Sequence, residues 1–303
     1  MSSSAAHFLA CAIALPTAAA DEAGSDALRE AIQRYRANLQ MGDRVINGKP
    51  TTIERNPWQV ALLHAADNNN ERAQFCGGVI IEPEWILTAA HCVDKGTRAT
   101  QIHVFSGSSM LKDEHGKRTE TERIFVHPSW NPKTHDSDVA LIKTTSANVG
   151  RPIAIANDMA GPGTGAPVWI SGWGLVDKVH IKPTPVLHGA EVNVVDWTIC
   201  NSGHSYPNAL TPNMFCAGIV DTKGGGGTDS CKGDSGGPAS LGQVSDGRLV
   251  GLVSWGKDCA QPYKYGVYVN IARYLPWIRI CMRASEPKEY AACQQTPART
   301  VAR

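Results

Sequence analysis

From Val45 onward, short runs rich in β-branched and aromatic residues alternate with clusters of Gly, Pro and Asn. This rhythm narrows the open folds more than any other feature, because such runs suit pleated, half-buried strands and such clusters suit the turns between them. One set includes Trp58–Leu63, Gly78–Ile81, Trp85–Leu87 and Gln101–Phe105. A second includes Val168–Trp173, Ala190–Val195, Leu249–Trp255 and Gly266–Val269. Many short strands in two groups predict two all-β barrels or sandwiches. The best helix candidate of the body is Ile271–Arg283, with Pro276 near its first turn, where a missing N–H costs little. Asp67–Arg72 and the glycine run Lys223–Thr228 read as surface loops.

Of nine cysteines, Cys11 lies in an apolar leader, leaving an even set of eight: Cys76, Cys92, Cys200, Cys216, Cys231, Cys259, Cys281 and Cys293. An even set suggests disulfides made in an oxidising compartment, and no C-x₂-C pair suggests zinc. The leader agrees with this. Phe8–Leu15 reads as the apolar region of a signal peptide, and Ala18-Ala19-Ala20 as its cleavage site, so residues 1–20 would be removed and the protein secreted, extracellular or periplasmic. Residues 21–44 are polar, lack cysteine and carry Leu28, Ile32, Tyr35 and Leu39 at helical spacing. A formal net charge of +1 gives no bulk attraction to nucleic acid or to an anionic membrane.

The chemistry-bearing stretch is Gly233-Asp234-Ser235-Gly236-Gly237-Pro238, a small nucleophile set between glycines that let backbone N–H groups crowd a reacting carbonyl. A serine hydroxyl is un-ionised near neutral pH and needs a base with an orienting acid. Candidates stand upstream in Thr88-Ala89-Ala90-His91-Cys92 and in Asp136-Ser137-Asp138-Val139-Ala140-Leu141. The Gly-x-Ser-x-Gly pattern also fits a nucleophile elbow, but that architecture places its histidine after the serine, and this chain has none beyond position 204. The order is therefore His-Asp-Ser or Asp-His-Ser. Asp136 competes with Asp138, and the apolar run after Asp138 favours the latter.

Taken together these motifs resemble the chymotrypsin/trypsin family of serine endopeptidases, on its trypsin-like branch. The matching elements are Arg44-Val45-Ile46-Asn47-Gly48, Pro57-Trp58-Gln59-Val60, Cys76-Gly77-Gly78, Trp85 to Cys92, Asp138 to Leu141, Gly172-Trp173-Gly174 and Ser254-Trp255-Gly256. The resemblance implies two six-stranded antiparallel β-barrels, about 45–155 and 156–270, with the active site between them and a C-terminal helix. The peptidase domain would span 45–283, after an activation propeptide of 21–44 and before a tail of 284–303. Ser235 would be the nucleophile, His91 the general base and Asp138 its orienting acid, with Gly233 and Ser235 N–H groups as the oxyanion hole. Asp229, six residues before Ser235, would lie at the bottom of the primary pocket beside Ser254, Trp255, Gly256 and Gly266, giving cleavage after Arg or Lys. Cutting Arg44–Val45 would free an amino terminus to pair with Asp234. The family's bridges would be Cys76–Cys92, Cys200–Cys216 and Cys231–Cys259, leaving Cys281–Cys293. No cofactor or metal is needed. The expected partners are protein or peptide substrates and protein protease inhibitors, acting on a monomer with neither nucleic acid nor membrane.

Overall fold

A computed structural model of the chain describes residues 48–94, 96–174, 184–219, 233–242, 246–257, 263–284 and 287–294. The leader and residues 21–44, the Arg44–Val45 bond, the glycine run, Asp229, Cys231 and Cys259 lie outside the described residues.

The strands are β1 (Lys49–Pro50), β2 (Gln59–His64), β3 (Gln74–Glu82), β4 (Trp85–Thr88), β5 (Ile102–Ser106), β6 (Lys117–Val126), β7 (Ala140–Thr144), β8 (Ala154–Ile155), β9 (Pro167–Gly172), β10 (His188–Val195), β11 (Met214–Gly218), β12 (Pro238–Leu241), β13 (Arg248–Trp255) and β14 (Gly266–Asn270). Six of them close an antiparallel barrel in the order β2-β3-β4-β7-β6-β5. The second barrel runs β10-β11-β14-β13-β12-β9, and β9 pairs back onto β10 to shut the ring. The chain is thus two six-stranded antiparallel barrels followed by a C-terminal helix.

Residue choice explains which face turns inward. In β10, Val192 and Val194 are buried while Glu191 and Asn193 face water, the period-two pattern of a strand with one wet side. β2 and β4 are buried along almost their whole length, so they read as continuous apolar runs. A core cluster of Val60, Leu62, Val79, Ile86, Leu141 and Ile142 fills the first barrel. Val168, Ile170, Val192, Phe215 and Tyr268 belong to that of the second.

The predicted helix over 271–283 divides. Ile271–Tyr274 is a 3₁₀ turn and Leu275–Arg283 an α-helix. The cause is Pro276, which has no N–H to offer the carbonyl of Ala272; the Leu275 N–H takes that carbonyl instead, tightening the turn. The loop expected at Asp67–Arg72 also differs. Asn69 Oδ1 accepts the Arg72 N–H and caps a one-turn helix, Asn70–Ala73. Beyond the main helix the tail is ordered: Pro287–Cys293 is helical, Cys293 is bonded to Cys281, and Trp277 Nε1 donates to the Cys293 carbonyl at 3.0 Å. Arg123 lies 4.1 Å above the Tyr290 ring, so this tail packs on the first barrel. No helix of the described residues is long and apolar enough to cross a membrane.

His127 is buried where this C-terminal region meets the first barrel, its ring edge-on to Tyr274 and Trp277, each 4.9 Å away. Burial lowers its pKa from 6.5 to about 4, and the nearby Asp136 only partly opposes this. Below pH 6.5 the unfolded chain binds a proton that the folded chain refuses, so stability falls as pH drops from 6.5 towards 4. At pH 4.5 this one ring should cost roughly 2–3 kcal/mol relative to pH 7. Urea unfolding of His127→Gln should therefore show a pH 7-to-4.5 stability difference smaller by about that amount. An unchanged difference would remove His127 as the acid-sensitive group.

Candidate active site

His91 sits on the single helical turn Ala90–Val93 that follows β4, and Cys92 ties this turn to β3 through the Cys76–Cys92 disulfide. Asp138 ends the loop that leads into β7. His135 and Ser137 adopt left-handed backbone there, with φ of 55° and 58°, a conformation uncommon for non-glycine residues that bends the loop sharply around Asp136 and Asp138.

The turn and the loop meet. Asp138 Oδ2 lies 2.8 Å from His91 Nδ1, and Oδ1 accepts the backbone N–H of His91 at 2.9 Å. Ser254 Oγ donates to the same Oδ2 at 2.5 Å. With no exposed surface, the Asp138 carboxylate is held by three donors from two barrels. An acceptor-only carboxylate at Nδ1 puts the ring proton on that nitrogen and leaves Nε2 free to accept. The structure thus resolves the competition between the two aspartates. Asp136 turns away and accepts from Thr211 Oγ1 at 2.6 Å and Asn213 Nδ2 at 2.9 Å, linking the first barrel's loop to the second barrel.

Ser254 was expected to line the substrate pocket. Its side chain is buried and committed to Asp138. A register shift between β13 and β14 from Val253 to Trp255 provides the reason, since a bulge re-aims the side chain it carries. Trp255 packs against Tyr206 at 4.8 Å and His135 at 5.8 Å. Burial lowers the pKa of His135, with the nearby His91 adding to this and Asp138 opposing it. A Cβ built on Gly256 would meet the Tyr265 carbonyl oxygen at 3.7 Å, the Tyr206 hydroxyl at 3.8 Å and the Gly266 Cα at 3.9 Å, ordinary contacts with no overlap.

Ser235 lies on a tight loop between Gly233 and Pro238. Cys92 Sγ is 3.7 Å from the Ser235 carbonyl oxygen and 3.8 Å from His91 Nε2, so the serine backbone and the imidazole meet at one sulfur. Among the described residues no hydrogen bond joins Ser235 Oγ to the ring. Such bonds are often long in unliganded sites and tighten around substrate. A sulfur oxidised to a disulfide has no thiolate to offer a metal, so the Cys76–His91–Cys92 cluster is a structural brace.

The loop backbone is tied down by hydrogen bonds. Asp234 O accepts from Gly237 N–H at 2.8 Å, Ser235 O accepts from Gly77 N–H at 2.8 Å, and Gly236 N–H donates to Val253 O at 2.7 Å. Gly233 has φ of 97°, and a Cβ there would stand 2.8 Å from the Gly174 Cα, so only glycine fits. Asp234 is buried, and its Oδ1 accepts the Gly174 N–H at 2.8 Å. A Cβ on Gly172 or Gly174 would overlap this carboxylate, which accounts for the Gly172-Trp173-Gly174 motif.

The disulfides Cys76–Cys92, Cys200–Cys216 and Cys281–Cys293 are formed as expected. Sequence reasoning missed Gln74, whose side chain reaches the serine loop, and Gly174, the partner of Asp234. Gln74 carries no motif signal; Gly174 had one, but nothing in it named the partner.

Two barrels with a His–Asp pair and a glycine-framed serine loop define a serine hydrolase of the double-barrel type. Comparison with known proteins makes this specific. A model of the family described as Trypsin matches residues 45–278. The chain is 36% identical over 241 residues to the alkaline B trypsin of Manduca sexta, covering 78% of this chain and 90% of that one. It is 35% identical over 246 residues to human kallikrein-14, covering 80% and 85%. It is also 35% identical over 248 residues to human transmembrane protease serine 5, covering 78% of this chain and 51% of that longer protein, and it spans only 28% of mouse transmembrane protease serine 7. The chain belongs to the trypsin family of serine endopeptidases and is a peptidase acting on protein or peptide substrates.

Proposed function

We propose that the chain is a secreted, trypsin-like endopeptidase made as a zymogen, which hydrolyses peptide bonds after Arg or Lys. The observation that carries the mechanism is the pairing of His91 Nδ1 with the buried Asp138, with Nε2 left free beside the serine loop. In this reading Ser235 Oγ attacks the scissile carbonyl carbon as His91 Nε2 takes its proton. The imidazolium then protonates the leaving amine, the C–N bond breaks, and an acyl-enzyme ester remains. Water repeats the sequence and frees the acid. Asp138 orients the ring and balances its charge, while the N–H groups of Gly233 and Ser235 receive the oxyanion.

The preference for Arg or Lys rests on Asp229, six residues before Ser235, because a buried carboxylate strongly favours a cationic partner over a neutral one. Glycine at both Gly256 and Gly266, with no side chain at either, supports an open pocket, and the name of the insect relative, a trypsin, agrees with it. The zymogen rests on Arg44–Val45 and on Asp234, a buried acid that the freed Val45 amine would neutralise. Secretion rests on the leader and on the disulfides.

The test combines N-terminal sequencing with a panel of peptides that differ only in the residue before the cleaved bond. The expected result is a chain beginning at Val45 that turns over the Arg and Lys peptides at least 100-fold faster than the Phe peptide. Full activity with Arg44–Val45 intact would overturn the zymogen reading. A preference for Phe would overturn the specificity.

A further inference from the structure

Three consecutive carbonyls of the serine loop are anchored, and one of the three anchors differs in kind. Those of Asp234 and Ser235 are held by backbone N–H groups, of Gly237 and Gly77. That of Gly233 is held by a side chain: Gln74 Nε2 donates to it at 2.9 Å across 159 residues of sequence. Gln74 opens β3, is buried, and sends the second proton of the same nitrogen to the Cys76 carbonyl at 3.3 Å. Two backbone acceptors facing one nitrogen fix which way the amide is turned, because its oxygen could satisfy neither. The Gln74 Oε1 atom, also buried, accepts no hydrogen bond.

We propose that Gln74 is a positioning residue for catalysis, which sets the oxyanion hole by fixing the plane of the Gly233–Asp234 peptide. This rests on the reading above that the Gly233 and Ser235 N–H groups receive the oxyanion. That peptide is the link between the two donors. Its carbonyl direction sets ψ of Gly233 and φ of Asp234, and so the angle at which the donors converge. Gly233 is the residue least able to hold that angle unaided, since glycine has the widest backbone freedom. Its φ is 97°, and a Cβ built there would lie 2.8 Å from Gly174 Cα and 3.6 Å from Gln74 Oε1, so both residues crowd the space beside it. Through Cys76, bonded to Cys92, the same amide also braces the strand that carries the disulfide next to His91. Donors aimed in advance at the developing charge act on the transition state and leave substrate binding nearly unchanged.

The test compares the processed wild type with Gln74→Leu and Gln74→Glu. The second keeps the size of the side chain but has no N–H, so it serves if the first does not fold. For each protein, kcat and KM are measured on a P1-Arg peptide amide. Affinities are measured for benzamidine, which fills only the primary pocket, and for a peptide argininal, whose adduct also needs the oxyanion hole. The expected result is a kcat about 10- to 100-fold lower, KM and benzamidine affinity within about twofold of wild type, and argininal affinity falling in step with kcat. Unchanged kcat in a folded variant would overturn the proposal. So would parallel loss of kcat, benzamidine and argininal binding, which is the behaviour of a merely structural residue. Processed wild type that neither cleaves the amide nor binds benzamidine would instead overturn the proposed function, and this inference with it.

Discussion

Replacing Asp138 by asparagine should lower kcat on a P1-Arg amide by about four orders of magnitude while leaving the protein folded. The size follows from proton placement. In the wild type the carboxylate faces three donors: the His91 N–H, His91 Nδ1 and Ser254 Oγ. An amide has one acceptor oxygen. If that oxygen stays on the His91 backbone N–H, the amide NH₂ faces Nδ1, which must then become the acceptor. The ring proton moves to Nε2, the atom that has to accept the proton of Ser235. Geometry survives and the base is lost. Ser254 could rotate to accept from the new NH₂, so the stability cost should stay within about 1–3 kcal/mol, the range for one mismatched buried polar group. The measurement is kcat together with thermal unfolding; a near-normal kcat would remove Asp138 from the proposed mechanism.

Replacing Asp229 by serine should cost the P1-Arg peptide roughly 10²- to 10³-fold in kcat/KM and leave the P1-Phe peptide close to its wild-type value. A cationic side chain taken from water into a pocket without its counter-charge loses about 3–5 kcal/mol relative to the paired state. Much of that would be recovered by the solvent a smaller serine admits, which sets the estimate at the lower end. The effect should appear mainly as a selectivity ratio between the two peptides, since the serine, imidazole and oxyanion donors are untouched. Equal losses on both peptides would mean that Asp229 supports the loop and does not select the substrate.

The strands and the chemistry were legible in the sequence for different reasons. Strands such as β10 showed themselves because one wet face forces alternation, as at Glu191, Val192, Asn193 and Val194. The reacting residues showed themselves because acyl transfer demands particular side chains in strict local settings, as around Ser235. Contacts made across the barrels were not legible. The apolar run after Asp138 pointed to it as the partner of His91, but the reach of Asp136 to Thr211 and Asn213 of the second barrel did not show. The turn of Ser254 towards Asp138 depends on a bulge set by pairing with a distant strand. Gln74 is a polar residue at a strand end, a common sight, and only the closed barrel reveals that it reaches Gly233. The division of the C-terminal helix could have been foreseen, because Pro276 removes one specific donor.

The most direct test of Ser235 as a nucleophile activated by His91 is covalent labelling of the processed chain with an organophosphonate bearing arginine at P1, followed by peptide mapping. The predicted result is one adduct per chain, located on Ser235 and lost in His91→Ala. An adduct on another residue, or no adduct on a folded chain that begins at Val45, would contradict it.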